Sequence, residues 1–124
     1  MPRYRQPLEW ELEPDRAAFG IAQAYFHQNS VAGFPKMLAM AEQGSLLAML
    51  AVARAYFYGT GTAADKPLAE HWYRQVAKAG SVFGHQSLGR FYMMEKRYAE
   101  AKPAFEFAAA RGYGPARWVL ETCI

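Results

Sequence analysis

Residues 52–65 read Val-Ala-Arg-Ala-Tyr-Phe-Tyr-Gly-Thr-Gly-Thr-Ala-Ala-Asp, and residues 66–80 continue Lys-Pro-Leu-Ala-Glu-His-Trp-Tyr-Arg-Gln-Val-Ala-Lys-Ala-Gly. The first run has no helix breaker until Gly59. A Gly-Thr-Gly turn follows, and Asp65 then stands where its side chain can cap a new helix. Pro67 suits a first helical turn, where its missing N–H costs nothing. Leu68, Ala69, Trp72, Tyr73, Val76 and Ala77 fall on one helical face, and Gly80 can end the helix in the left-handed conformation. The stretch is therefore one helix–turn–helix unit.

Outward from this unit the pattern repeats. Ala-Glu-Gln-Gly ends at Gly44, Ala-Lys-Ala-Gly at Gly80 and Ala-Ala-Arg-Gly at Gly112, spaced 36 and 32 residues apart. Eight residues beyond each glycine stand Val52, Leu88 and Leu120, with Ile21 one unit earlier. Ala17, Ala48, Gly84 and Ala116 stand four residues before these positions, and Tyr25, Tyr56, Tyr92 and Ile124 four after. Small, aliphatic and aromatic at i, i+4 and i+8 make one helical stripe, whose small member lets a neighbouring helix approach. The stripe predicts a buried face on the opening helix of every unit. Ser45 and Ser81, each just after a tag glycine, are the expected caps of those helices, and Gly114-Pro115 starts the last one.

The pattern predicts seven helices, near 16–28, 35–43, 45–58, 67–79, 82–94, 97–111 and 115–124. Pro35 opens a short second helix, and Pro103 either kinks the sixth or marks its true first turn. A period of this size means a stack of paired helices. The fold class is an all-α, right-handed superhelical solenoid of about three and a half helix pairs over residues 16–124. Residues 1–15 form an extended arm.

The run 52–65, with Ala69, Trp72-Tyr73, Ala77 and Gly80, resembles the Sel1-like repeat, the longer-looped relative of the tetratricopeptide repeat. Val52-Ala53 stands in place of that family's Leu-Gly. The next unit keeps Leu88-Gly89-Arg90-Phe91-Tyr92 but lacks the long loop, and Lys96-Arg97-Tyr98-Ala99-Glu100-Ala101 is similar to a tetratricopeptide repeat instead. The resemblance is strong over residues 44–112 and weak at both ends. It implies a non-catalytic adaptor that binds proteins or peptides without a cofactor, as many members do in bacterial signalling, envelope or secretion systems.

Composition narrows the alternatives. The chain has 124 residues, enough for one domain or a short array. Its single cysteine, Cys123, excludes a disulfide framework and a cysteine zinc site, and reads as a small apolar, reduced helix residue. No apolar run is long enough to span a membrane. The net charge of +3 sits in the second half without a dense Lys/Arg stripe, which argues against nucleic acid. The first residues have no apolar core behind Arg3 and Arg5, so no secretory signal is read and the cytoplasm is the expected location.

Catalytic and metal motifs are not legible. Gly59-Thr-Gly61-Thr lacks the Gly-Lys-Ser/Thr ending of a phosphate-binding loop, because Lys66 lies between Asp65 and Pro67. His27, His71 and His85 have no ligand-like spacing and read as surface or boundary residues. No catalytic residue, metal site or cofactor is assigned.

The informative constellation is a ladder. Opening helices of stacked units line the concave face of a solenoid, so equivalent positions project side by side. One rung series is Phe19, Leu50, Gln86 and Trp118; the next is Gln23, Arg54, Arg90 and Thr122. A third is Phe26, Phe57 and Met93, with His27, Tyr58 and Met94 just beyond. Phe26, Phe57 and Met93 read equally well as a second core face. The binding residues assigned are Arg54, Arg90, Gln23, Leu50, Gln86, Phe57, Tyr58, Met94 and Trp118. Arginine pairs bidentately with carboxylates, and aromatic and Met side chains supply contact area. The expected ligand is an extended or helical acidic peptide or protein segment. The alternative is a cytoplasmic immunity- or inhibitor-type protein that occludes a partner enzyme with the same fold.

Both ends carry a further expectation. Leu8-Glu-Trp-Glu-Leu12 alternates apolar and acidic residues, the period of an extended segment. The arm either docks in an arginine groove, its own or a neighbour's, or covers the end of the first unit. The last helix, with Trp118, Val119, Leu120, Cys123 and Ile124, is apolar where a terminal unit should be polar. Homo-oligomer formation through this helix or through the arm is a corresponding expectation.

Overall fold

The computed structural model describes residues 16–122. They form seven helices and no strand: α1 Arg16–Gln28, α2 Ser30–Glu42, α3 Leu46–Tyr58, α4 Lys66–Lys78, α5 Val82–Met94, α6 Tyr98–Ala110 and α7 Gly114–Thr122. Each helix packs chiefly on the one before and the one after it. The architecture is an all-α solenoid of three helix pairs and a closing half-pair. None of these helices is long and apolar enough to cross a membrane. The arm at 1–15, Cys123 and Ile124 lie outside the described residues, as do the side chains of Arg16, Glu121 and Thr122.

Local chemistry sets the helix ends. The Ser45 and Ser81 hydroxyls accept the backbone N–H of Ala48 and Gly84 at 3.1 and 2.9 Å. The Asp65 carboxylate accepts the N–H of Leu68 at 3.0 Å. Each cap serves a donor that would otherwise have no partner in the first turn. The tag glycines Gly44, Gly80 and Gly112 all have φ between 86° and 105°, where a Cβ is strained. Gly61 also has positive φ, and a Cβ there would run into the backbone carbonyl of Ser30. The Gly-Thr-Gly loop after α3 thus rests on the first turn of α2.

Two apolar clusters form one continuous core. Phe19, Phe34, Met37, Ala48 and Val52 belong to the cluster of α1–α3. Tyr73, Val76, Leu88, Phe91 and Phe105 belong to that of α3–α7. Met49, Tyr56 and Trp72 pack against both clusters. Phe26 packs against the first cluster, and Phe57 and Met93 against the second, in keeping with a second core face.

Three expectations need correction. The second helix does not begin at Pro35: it runs from Ser30 and is capped by Asn29, whose side chain accepts the N–H of Ala32 at 3.1 Å. Of the two readings of Pro103, the one that makes it a first turn is overturned: it lies inside α6, which starts at Tyr98 within one residue of the expected position. An interior proline costs about 3 kcal/mol. Here both prolines are exposed, while Phe34, Met37 and Ala41 on α2 and Ala101, Ala104 and Phe105 on α6 are buried around them. Packing therefore offsets the lost hydrogen bond. The third correction concerns the stripe. Ala48, Val52, Gly84, Leu88, Tyr92 and Ala116 are buried, but Ala17, Ile21 and Tyr25 are exposed. Later stripes press on the second helix of the preceding unit, as Tyr56 does on Phe34 with ring centroids 5.2 Å apart. No described helix precedes α1.

Candidate functional site

The face built by α1, α3, α5 and α7 carries a trough of three adjoining cavities. The largest, about 1060 Å³, is lined by Leu50, Arg54, Gln86, Arg90, Met94 and Trp118 among others. A middle one of about 370 Å³ is bounded by Arg54, Phe57, Tyr58, Tyr73, Arg90 and Met94. A third of about 230 Å³ reaches Gln23, Phe26 and His27 and again borders Arg54 and Tyr58. Arg54 touches all three, and Arg90 borders the first two.

The structure therefore brings Gln23, Leu50, Arg54, Phe57, Tyr58, Gln86, Arg90, Met94 and Trp118 together along one run. They do not contribute alike. Leu50 and Gln86 are buried and form floor; Phe57 is half-buried; Gln23, Arg54, Tyr58, Arg90, Met94 and Trp118 are exposed. Phe19, expected on the same rung as Leu50, is 8% exposed and belongs to the first core cluster. It is not among the residues bounding the three cavities. The Gln86 side-chain oxygen is buried without a hydrogen-bond partner.

Sequence reasoning missed Tyr73. It was assigned to the apolar face of α4, and its ring is indeed buried. Tyr73 nonetheless borders the middle cavity. Burial pushes the phenol pKa above the usual 10.0, while the nearby positive charges of Arg54 and Arg90 pull it back. Both guanidinium groups thus bear on one buried phenol. A tyrosine instead of phenylalanine on an otherwise apolar helix face was the available signal, since a buried phenol needs a polar outlet.

Charge is distributed unevenly between the two sides of the stack. Among the described residues neither Arg54 nor Arg90 forms an ion pair. By contrast, Glu70 of α4 takes 2.7 Å contacts from both Arg74 and Arg97 and accepts the Tyr92 hydroxyl at 3.1 Å. Arg97 also reaches Glu100 at 2.7 Å. The Arg97 hydrogen bonds do most to hold the Glu70 carboxyl below its ordinary value, with Tyr92 and Arg74 adding to them and burial opposing. This cluster ties α4, α5 and the start of α6 together.

The histidines stay apart. His27 and His71 are exposed. His85 stacks on Phe107 with centroids 3.6 Å apart, and Arg111 covers Phe107 at 3.5 Å. Burial lowers the His85 pKa. Among the described residues no three His, Cys, Asp or Glu side chains converge.

No family model matches the sequence, and the search of curated proteins gives no match. Solved structures do match. A Sel1 repeat protein from Oxalobacter formigenes superposes with a TM-score of 0.70 at 26% identity, over 83% of this chain and 48% of that one. The protective antigen c5321 of uropathogenic Escherichia coli, which displays an SLR fold, superposes with a TM-score of 0.74 at 22% identity. That match covers 90% of this chain and 27% of the antigen, so this chain spans half or less of either neighbour. By these matches the chain is an all-α solenoid similar in fold to Sel1-like repeat proteins.

Proposed function

We propose that the chain is a non-catalytic protein-interaction module whose trough takes an acidic, extended or helical segment of a protein partner. The observation that carries this reading is the pair Arg54 and Arg90: two neighbouring guanidinium groups on one face, with no carboxylate partner among the described residues. Guanidinium forks hold carboxylates through paired, charge-assisted hydrogen bonds. The larger cavity beside them exposes more apolar than polar surface, with Leu50, Met94 and Trp118 at its wall. Burial of ligand side chains there supplies affinity while the arginines supply register. Tyr58 and Tyr73 offer hydroxyls at the same place.

The trough is open along its length, which suits a chain segment better than an enclosed small molecule. Its length from Gln23 to Trp118 crosses all four first helices. The test is a fluorescence-polarisation screen of acidic, neutral and basic peptides. Acidic peptides carrying a large apolar residue should bind best. Arg54→Ala and Arg90→Ala should each weaken binding about tenfold, the equivalent of ~1.4 kcal/mol, with an unchanged circular-dichroism melt. Equal binding by both variants overturns the reading.

A further inference from the structure

The trough leaves one apolar surface unexplained, at the other edge of α1. Ile21 is 75% exposed and Tyr25 is 40% exposed. The counterparts of Ile21 in the next units, Val52 and Leu88, are 0% and 8% exposed, and those of Tyr25, Tyr56 and Tyr92, are half-buried and buried. Three units thus share one stripe, and only the first presents it to solvent. In the later units the stripe is covered by the helix that precedes it and runs antiparallel to it. A closely approaching partner is built into that contact: a Cβ on Gly84 would press against Val76 and Ala77 of α4. Ala17 holds the matching small position in α1 and is exposed.

We propose that residues 8–12, Leu-Glu-Trp-Glu-Leu, lie over the Ala17–Ile21–Tyr25 stripe of the same chain and close this edge in place of a preceding helix. The proposal does not rest on the ligand reading of the trough. The segment precedes Arg16 in sequence and is therefore tethered to the start of α1, as each later first helix is tethered at its start to the second helix before it. Trp10 precedes Arg16 by six residues, about 20 Å of extended chain. Tyr25 follows Arg16 by nine residues, about 14 Å of helix rise. The arm therefore reaches the whole stripe. Alternation gives Leu8, Trp10 and Leu12 one side and Glu9 and Glu11 the other. Apolar residues on one side match an apolar stripe, and acidic residues on the other keep the outer surface soluble, as a terminal unit requires. Charge agrees as well. Lys36 of α2 sits 5.3 Å from the Tyr25 ring and has no carboxylate partner among the described residues. It offers a cation beside the stripe to an arm that carries Glu9, Glu11 and Glu13.

Cysteine pairs test the placement in the full chain, in a Cys123→Ser background. Ile21→Cys is combined in turn with Leu8→Cys, Trp10→Cys or Leu12→Cys, and Met94→Cys in the trough serves as the control partner. Mild oxidation should give an intramolecular bridge, seen as a monomer of altered gel mobility, for at least one pair with Ile21→Cys in more than half of the chains. The Met94→Cys pairs should stay largely reduced. No bridge to Ile21→Cys, bridged dimers only, or a better yield with Met94→Cys each overturns the proposal; the last two place the arm on a second copy or in the trough. A thermal double-mutant cycle gives an independent readout. Trp10→Ala should lower Tm by about 3–6 °C, and by clearly less when Ile21→Ala is already present. Additive losses overturn the proposal.

Discussion

The chain holds two pairs of arginines, and they are treated in opposite ways. Arg74 and Arg97 share Glu70, and Arg97 adds Glu100, so their charges are consumed inside the fold. Arg54 and Arg90 occupy equivalent positions on successive first helices and have no carboxylate among the described residues. The first pair fastens α4 to α6 across one inter-unit boundary. The second leaves positive potential above a hydrophobic floor. The same side chain is thus structural or available according to whether the neighbouring helices supply acid. In the proposed reading, that distinction, rather than the number of arginines, separates a recognition face from a supporting one.

Several changes would break this contrast, and the largest effect belongs to the trough. Arg54→Glu with Arg90→Glu should reduce affinity for an acidic peptide by about 100-fold or more, equivalent to ~2.7 kcal/mol, while the melting curve barely moves. Titration calorimetry and circular dichroism check the two halves of that statement. Next in size is Glu70→Ala. Glu70 is only 18% exposed and serves Arg74, Arg97 and Tyr92. Its removal should cost about 2 kcal/mol of stability in urea unfolding, with peptide affinity unchanged.

Acid should sharpen the same contrast. The folded Glu70 carboxyl titrates below its ordinary 4.5 because Arg97 hydrogen-bonds to it. The stabilisation is therefore fully present above about pH 4.5 and is lost as pH falls through the lower folded value. The stability difference between the wild type and Glu70→Gln should shrink along that acid limb and stay flat at neutral pH. Salt gives a smaller effect. Raising ionic strength from 0.05 to 0.5 M should weaken peptide binding by a few-fold, because the trough charges are exposed. Smallest of all, Arg54→Ala alone should change unfolding free energy by no more than about 0.5 kcal/mol.

Much of the solenoid could be read from residues that recur. Gly44, Gly80 and Gly112 gave the period; Ser45, Asp65 and Ser81 gave the caps. Equivalent positions on the first helices placed nine residues on one trough, because a repeat turns sequence distance into spatial order. Features that occur once were harder. Asn29 caps α2 only one residue after α1 ends, leaving no loop to announce a new helix, and Pro35 then suggests a later start. Glu70 meets Arg97 across 27 positions through one short turn after α5, a pairing without counterpart in the other units among the described residues. Tyr73 borders a cavity whose other lining residues belong to α3 and α5, and no periodicity within α4 carries that information. The exposed stripe of α1 follows the same rule. Its small–aliphatic–aromatic order matches that of the later units, and no described helix covers it.

The seat of Gly61 against the Ser30 carbonyl reaches further than its size suggests. With no side chain to act as a spacer, the linker after α3 sets how closely the second pair of rods nests on the first. The seam between the first two helix pairs thus depends at this point on a single hydrogen where every other amino acid would place carbon.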